Sequence, residues 1–152
     1  MTDIRLPIAE TMFALRVGII CVQDGKLLVV TGDHLKFKYS IGGAVTIGEE
    51  TAAAAVREWQ EETGLEAGPL RLVGVVENFF ELNGQRWHEV GFYYEMTLEG
   101  TITIGQIADQ PNEYLEWLPL EKLAEERVYP EAIGELLNVP AGEIRHLVQR
   151  SL

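Results

Sequence analysis

The sequence predicts a single α+β domain over residues 1–152, with a mixed central β-sheet between helical layers. Three observations carry this. Short apolar and β-branched runs recur through most of the chain; one alanine-rich stretch near residue 55 has helical periodicity; and no internal repeat or long linker separates them. With 152 residues and 47% hydrophobic content, the chain can bury a sizeable core. No apolar run approaches the ~18 residues of a membrane span, and the start, Met1 to Pro7, lacks a basic head and long apolar stretch. A cytoplasmic protein without a membrane partner is expected. The single cysteine, Cys21, lies in an apolar run and reads as a buried strand residue, so no disulfide framework is expected.

Taken in order, residues 12–22 and 26–31 are two strand-like runs around Gln23-Asp24-Gly25, which predicts a β-hairpin. Residues 34–41 alternate: Leu35, Phe37, Tyr39 and Ile41 share one face, and His34, Lys36, Lys38 and Ser40 the other. Lys36 and Lys38 are candidates for meeting substrate phosphate; a lysine-protected edge strand is the alternative. A helix is predicted over residues 50–63, ended by Gly64. Gly68-Pro69 breaks the chain before two strands, 70–80 and 86–96, joined at Asn83-Gly84 in an antiparallel hairpin. Residues 101–107 read as a short strand or extended loop, and 108–113 as a polar loop before a strand over 114–118. Short helices are expected over 120–126 and 130–137, and a last helix over 141–149.

The predicted helix over 50–63 holds the chemistry. Ala52, Ala55, Val56, Trp59 and Thr63 form a stripe to be buried, while Glu58, Glu61 and Glu62 crowd the adjoining face. Like charges three and four apart each destabilise a helix by roughly 0.2–0.5 kcal/mol, and carboxylates in a last turn oppose the dipole by about 0.3–1 kcal/mol. Something outside the helix should compensate. A hard divalent cation, Mg²⁺ or Mn²⁺, suits three carboxylates beside a glycine loop that can offer a carbonyl; a solvated acidic face is the alternative. The net charge of -12 repels nucleic acid polymers and anionic membranes. A phosphorylated small molecule would need a bridging cation, and such a cation would also activate water toward a phosphoanhydride.

The segment Gly43, five residues, Glu49, seven residues, then Arg57-Glu58-Trp59-Gln60-Glu61-Glu62-Thr63-Gly64-Leu65 resembles the signature of the Nudix hydrolases, with every fixed position filled. Trp59 stands where a smaller aliphatic is usual. The resemblance implies an α/β/α sandwich and hydrolysis of a nucleoside diphosphate linked to another group, as in nucleotide sugars, ADP-ribose, dinucleotides or nucleoside triphosphates. It implies that Glu58, Glu61 and Glu62, with the Gly42 carbonyl, hold Mg²⁺ or Mn²⁺, and that Glu49 and Arg57 orient the site. For the base, it leaves Glu113 and Glu58 as rivals, with Glu77 and Glu89 behind them. Phe79 and Phe80, with Trp87, Tyr93 and Tyr94, are candidates to stack on a base, or else cross-strand core pairs. His88 and Glu89 complete the candidate substrate contacts. A nucleotide sensor without catalysis is the alternative function, and family habit raises a homodimer.

Overall fold

A computed structural model describes residues 2–100, 102, 106–107 and 110–151. The exposed strand β1 (Arg5–Ile8) folds back antiparallel on β2 (Thr11–Ile20), whose Val17, Ile19 and Ile20 are buried. At Cys21 the chain leaves that line. The short β3 (Val22–Gln23) pairs with the start of β4 (Lys26–Gly32), so the expected hairpin exists only over its last turn. β2 itself never pairs with β4; the strand between them in the sheet is β5 (Lys38–Ala44). Its Ile41–Ala44 end lies against β2, and its Tyr39 and Ser40 against β4. Burial of both faces explains why the alternation of residues 34–41 misleads: Ser40 is as buried as Ile41, and residues 34–37 form a bend before the strand.

The helix α1 (Thr51–Thr63) follows, with Gly64 in the left-handed conformation donating its N–H to the Gln60 carbonyl. Trp59 and Ala55 are buried as expected, but Ala54 is buried and Ala52 exposed, because the helix is rolled toward its Ala54 side. The long hairpin of β6 (Leu70–Leu82) and β7 (Gln85–Met96) turns at Asn83-Gly84, both at positive φ, in the register that turn predicts. β8 (Gln106–Ile107) and β9 (Gln110–Pro119) come next. Of the segment 101–107, residues 101 and 103–105 lie outside the described residues, as do 108–109 of the expected polar loop; Asn112 and Glu113 belong to β9 instead.

The expected short helices are single 3₁₀ segments, Leu120–Lys122 and Glu131–Leu136, flanking β10 (Val128–Tyr129). The expected last helix is a strand, β11 (Arg145–Ser151). It lies parallel to β6 from Arg145 opposite Gly74 to Ser151 opposite Phe80, so the open edge of β6 overrides a weak local helical preference. The strand order is β11-β6-β7-β2-β5-β4-β9-β8, with β2 parallel to β7 and antiparallel to β5. This mixed sheet separates two apolar layers. One joins Val17, Ile19 and Leu28 to Ala54, Ala55 and Trp59 of α1; the other joins Ile20, Val29 and Tyr93 to Ile133 and Leu136 of the second 3₁₀ segment. The expected α+β sandwich is present, with α1 alone as a full helix among the described residues. Cys21 is buried, and burial pushes its thiol up to about 11. Among the described residues no helix is long and apolar enough to cross a membrane.

Trp59 fastens α1 to the sheet: it is fully buried, and its Nε1 donates to the Glu66 carbonyl at 3.2 Å. Trp59→Ala should therefore cost about 3–5 kcal/mol, read as a lower urea midpoint; a midpoint within error of the wild type would contradict this packing.

Candidate active site

Strand β5 and helix α1 meet at Gly42 and Gly43, the two residues before the strand's last, Ala44, rather than part of a loop. A Cβ on Gly42 would sit 2.1 Å from the Val17 carbonyl oxygen of β2, and one on Gly43 would sit 2.5 Å from Glu58 Oε1. The first glycine lets two backbones approach; the second lets a carboxylate lie against the strand. The Gly42 N–H donates to Glu62 Oε2 at 3.3 Å. The helix face and the strand end are thus in direct contact.

Arg57 holds this junction. Its Nε and Nη2 donate to the two oxygens of Glu49 at 2.9 and 3.0 Å, and Nη2 also donates to the Ala44 carbonyl at 3.0 Å. Nη1 donates to Glu58 at 2.9 Å and to Glu61 at 3.3 Å. Glu49 in turn accepts from the backbone N–H and hydroxyl of Thr46, each at 3.1 Å. One guanidinium thereby ties strand end, loop and helix together. The Arg57 hydrogen bonds, aided by Thr46, hold the Glu49 carboxyl down at about 2, against the opposing effect of its burial.

The remaining carboxylates are short of positive charge. Burial pushes the Glu62 carboxyl up to about 8, with the neighbouring Glu58 charge adding to it, and burial likewise raises Glu58 despite Arg57. Among the described residues no three His, Cys, Asp or Glu side chains converge into a ready-made metal cluster, because Glu58 and Glu61 turn to Arg57 and Glu62 to the Gly42 N–H. The donor set nevertheless fits a hard cation: oxygen ligands only, on one helix face, with a carboxylate whose ionisation the folded chain opposes for lack of a counter-charge.

The other expected residues divide. Glu113, from β9, lines a cleft of about 190 Å³ with Glu62, Gly42, Arg16 and Tyr39. Glu89 is buried beside Arg16 in an adjoining cleft of about 270 Å³. Lys38 is engaged elsewhere, with Glu116 at 2.6 Å and Glu126 at 3.4 Å, and Lys36 lines a cleft with Arg127 at the hairpin tip that shares Phe37, Phe80 and Tyr129 with the cleft of Glu89. Phe79 and His88 lie against each other with ring centroids 4.5 Å apart and planes tilted by 33°, on the hairpin face opposite Phe80, Trp87 and Glu89. The pleat sends alternate residues to opposite faces, so Phe79 and His88 cannot share a cleft with Glu89. Glu77 is tied to His146 of β11. Arg16 went unnoticed in the sequence, although a lone arginine inside Met12-Phe13-Ala14-Leu15-Arg16-Val17-Gly18-Ile19-Ile20 is a costly choice for a core strand and was the available signal. Tyr39 and Tyr129 were missed as well, since only the fold brings β5 and β10 side by side.

The profile of the NUDIX domain matches residues 12–137. A curated protein named MutT4 from Mycobacterium tuberculosis (strain CDC 1551 / Oshkosh) is 31% identical over 104 residues, which are 63% of this chain. The chain spans only about 40% of that relative's length. A crystal structure of a MutT protein from Bacillus halodurans superposes with TM-score 0.67 at 19% identity, covering 88% of this chain and 86% of the other. One of a MutT NUDIX hydrolase from Burkholderia pseudomallei gives TM-score 0.67 at 24% identity, covering 83% and 98%.

The raised Glu62 value has a definite sign. Its folded-state value lies above the unfolded one, so the folded chain binds the extra proton between about 4.5 and about 8, and metal-free stability falls as pH rises through that window. Glu62→Gln should remove this slope. In EDTA, the variant should melt at least about 2–4 °C above the wild type at pH 8.5, the response of a domain this size to 1 kcal/mol, with a smaller gap at pH 5. A gap that does not change with pH would contradict the assignment.

Proposed function

The chain belongs to the NUDIX domain family, and from that premise we propose that it hydrolyses a phosphoanhydride bond in a nucleoside diphosphate linked to another group. The observation that carries this is the face of Glu58, Glu61 and Glu62 on α1, laid against the backbone of β5 and left with a deficit of positive charge. We take these three carboxylates as the holders of Mg²⁺ or Mn²⁺, with the Gly42 backbone beside them. Such an ion, when bound, supplies charge neutralisation between carboxylates and diphosphate and makes water more acidic.

The chain's own residues do the rest. Glu49 and Arg57 fix the distance between the strand end and the helix face, so the carboxylates do not drift apart when the substrate enters. Glu58 is turned toward Arg57 and does not line the cleft that holds Glu62. Glu113 is free of Arg57 and shares the cleft with Glu62, and we assign it as the general base. It takes a proton from water as the water oxygen bonds to phosphorus; the bridging P–O bond breaks and its electron pair leaves with the departing phosphate group. Nucleotide sugars, ADP-ribose, dinucleotides and nucleoside triphosphates all present such a bond.

A panel of these four classes, assayed for phosphate or nucleoside monophosphate release with and without Mg²⁺, tests the reading. Release from at least one class should depend on Mg²⁺, and Glu113→Gln should lower kcat by about 10²–10⁴-fold with little change in KM. Glu62→Gln should lower turnover by at least about 10²-fold. No release from any member, together with tight nucleotide binding, would instead favour a sensor.

A further inference from the structure

The sheet has two faces, and α1 covers only part of one. Over Val17, Ile19, Tyr94 and Met96 that face is closed by Ala54, Ala55 and Trp59 of the helix. Alternate residues share a face, so it continues along β2 and β7 to Phe13 and His88, toward the hairpin tip. There a row crosses four strands: Phe13 stands opposite His88, His88 opposite Phe79, and Phe79 opposite Arg150 of β11. Phe13 meets His88 edge-on at 5.5 Å, His88 lies 4.5 Å from Phe79, and the Arg150 guanidinium sits over Phe79 at 4.3 Å. All three rings keep access to solvent. Leu6 of β1, opposite Phe13, lengthens the row and is 44% exposed. Ile8 and Val148 flank it at 58% and 56%.

Size, charge and shape together say what covers this face. Five strands about 4.8 Å apart, open over about 20 Å of their length, make a surface of about 500 Å². That is at the upper end of what a monomer leaves to solvent. Two such faces in contact would bury about 1,000 Å² in all, the least that a specific interface needs. The chain carries a net charge of -12, yet this face is balanced, with Glu77 and Glu81 set against Arg86 and Arg150. A partner of strong charge of either sign gains nothing here, and the repulsion that two copies feel elsewhere is absent. A surface with both signs can meet a turned copy of itself with unlike charges opposed. Its shape is that of an open sheet, and sheets pack face to face about 10 Å apart.

We propose that the chain pairs with a second copy of itself through this face, sheet against sheet about a two-fold axis, with the row of Phe13, His88 and Phe79 at the centre. Phe80, Trp87 and Glu89 project from the same hairpin to the other side. The cleft of Glu89 therefore stays open in the pair, and the partner copy braces its wall from behind. The pairing does not depend on what the clefts bind or hydrolyse.

Sedimentation equilibrium over about 1–100 μM chain tests the proposal. The wild type should reach twice the 17.0 kDa mass of the chain. Ile8→Lys and Val148→Glu each place a charge on an exposed side chain of the face, and each should weaken the dimer at least about 10-fold while circular dichroism shows the native fold. Val22→Glu, at a side chain 42% exposed on β3 and outside the face, should leave the mass unchanged. Added salt should tighten the dimer, because screening reduces the repulsion between two chains of net charge -12 and leaves an apolar contact intact. A wild type that stays at 17.0 kDa at about 100 μM would overturn the proposal and leave the face to a foreign protein. A dimer that Ile8→Lys and Val148→Glu both leave intact, one that Val22→Glu dissolves as readily, or one that salt dissolves would overturn it as well.

Discussion

The site depends on one guanidinium that serves three segments. Arg57 reaches the end of β5 through the Ala44 carbonyl, the loop through Glu49, and its own helix through Glu58 and Glu61. Each partner alone would be a partly exposed contact of small worth. Joined on one fork, they set the position of a helix against a strand. The bidentate pairing with Glu49 is why lysine is a poor substitute here: an ammonium cannot hold both oxygens of Glu49 and a carbonyl in a fixed plane. Trp59 secures the opposite side of the same helix, fully buried beneath the sheet. Clamp and anchor together leave α1 little freedom to slide.

Rigidity has an electrostatic cost, and the cost lies where the chemistry is expected. Arg57 satisfies Glu49 fully and Glu58 partly, but does not reach Glu62, whose carboxyl is forced up by burial and by Glu58. On the other side of the sheet, Arg16 is buried, and its Nε finds no acceptor among the described residues. Glu62 and Arg16 border the same cleft without pairing. A protein that sought only stability would join them or replace both with apolar residues. Keeping them apart leaves the cleft between them open to a ligand.

Much of this was legible in the chain, and the rest was not for identifiable reasons. The Gly42 to Leu65 stretch disclosed the helix, its end at Gly64 and the carboxylate face, because spacing on one helix is local information. The Asn83-Gly84 turn likewise specified its hairpin. What failed was non-local. The strand β11 looked helical because its partner edge on β6 is some seventy residues away, as Arg145 opposite Gly74 illustrates. Residues 34–41 were read as half-exposed because alternation cannot reveal a second covered face, yet Ser40 is buried. Lys38 looked like a phosphate ligand until β9 brought Glu116 to it, and Phe79 and Phe80, equal candidates in the sequence, part to opposite faces because a single step along the strand changes the face. Arg16 was visible as an anomaly in an apolar run, but its meaning needed Glu62, Glu89 and the two clefts around it.

The central claim is that the glutamate face of α1 is completed by a divalent cation. Calorimetric titration with Mn²⁺ at pH 7, repeated in buffers of different ionisation enthalpy, tests it most directly. With the Glu62 carboxyl near 8, the wild type should release roughly one proton for each binding event at this face, and Glu62→Gln should bind more weakly and release none. Mn²⁺ binding without proton release, or binding and release that Glu62→Gln leaves unchanged, would contradict the account.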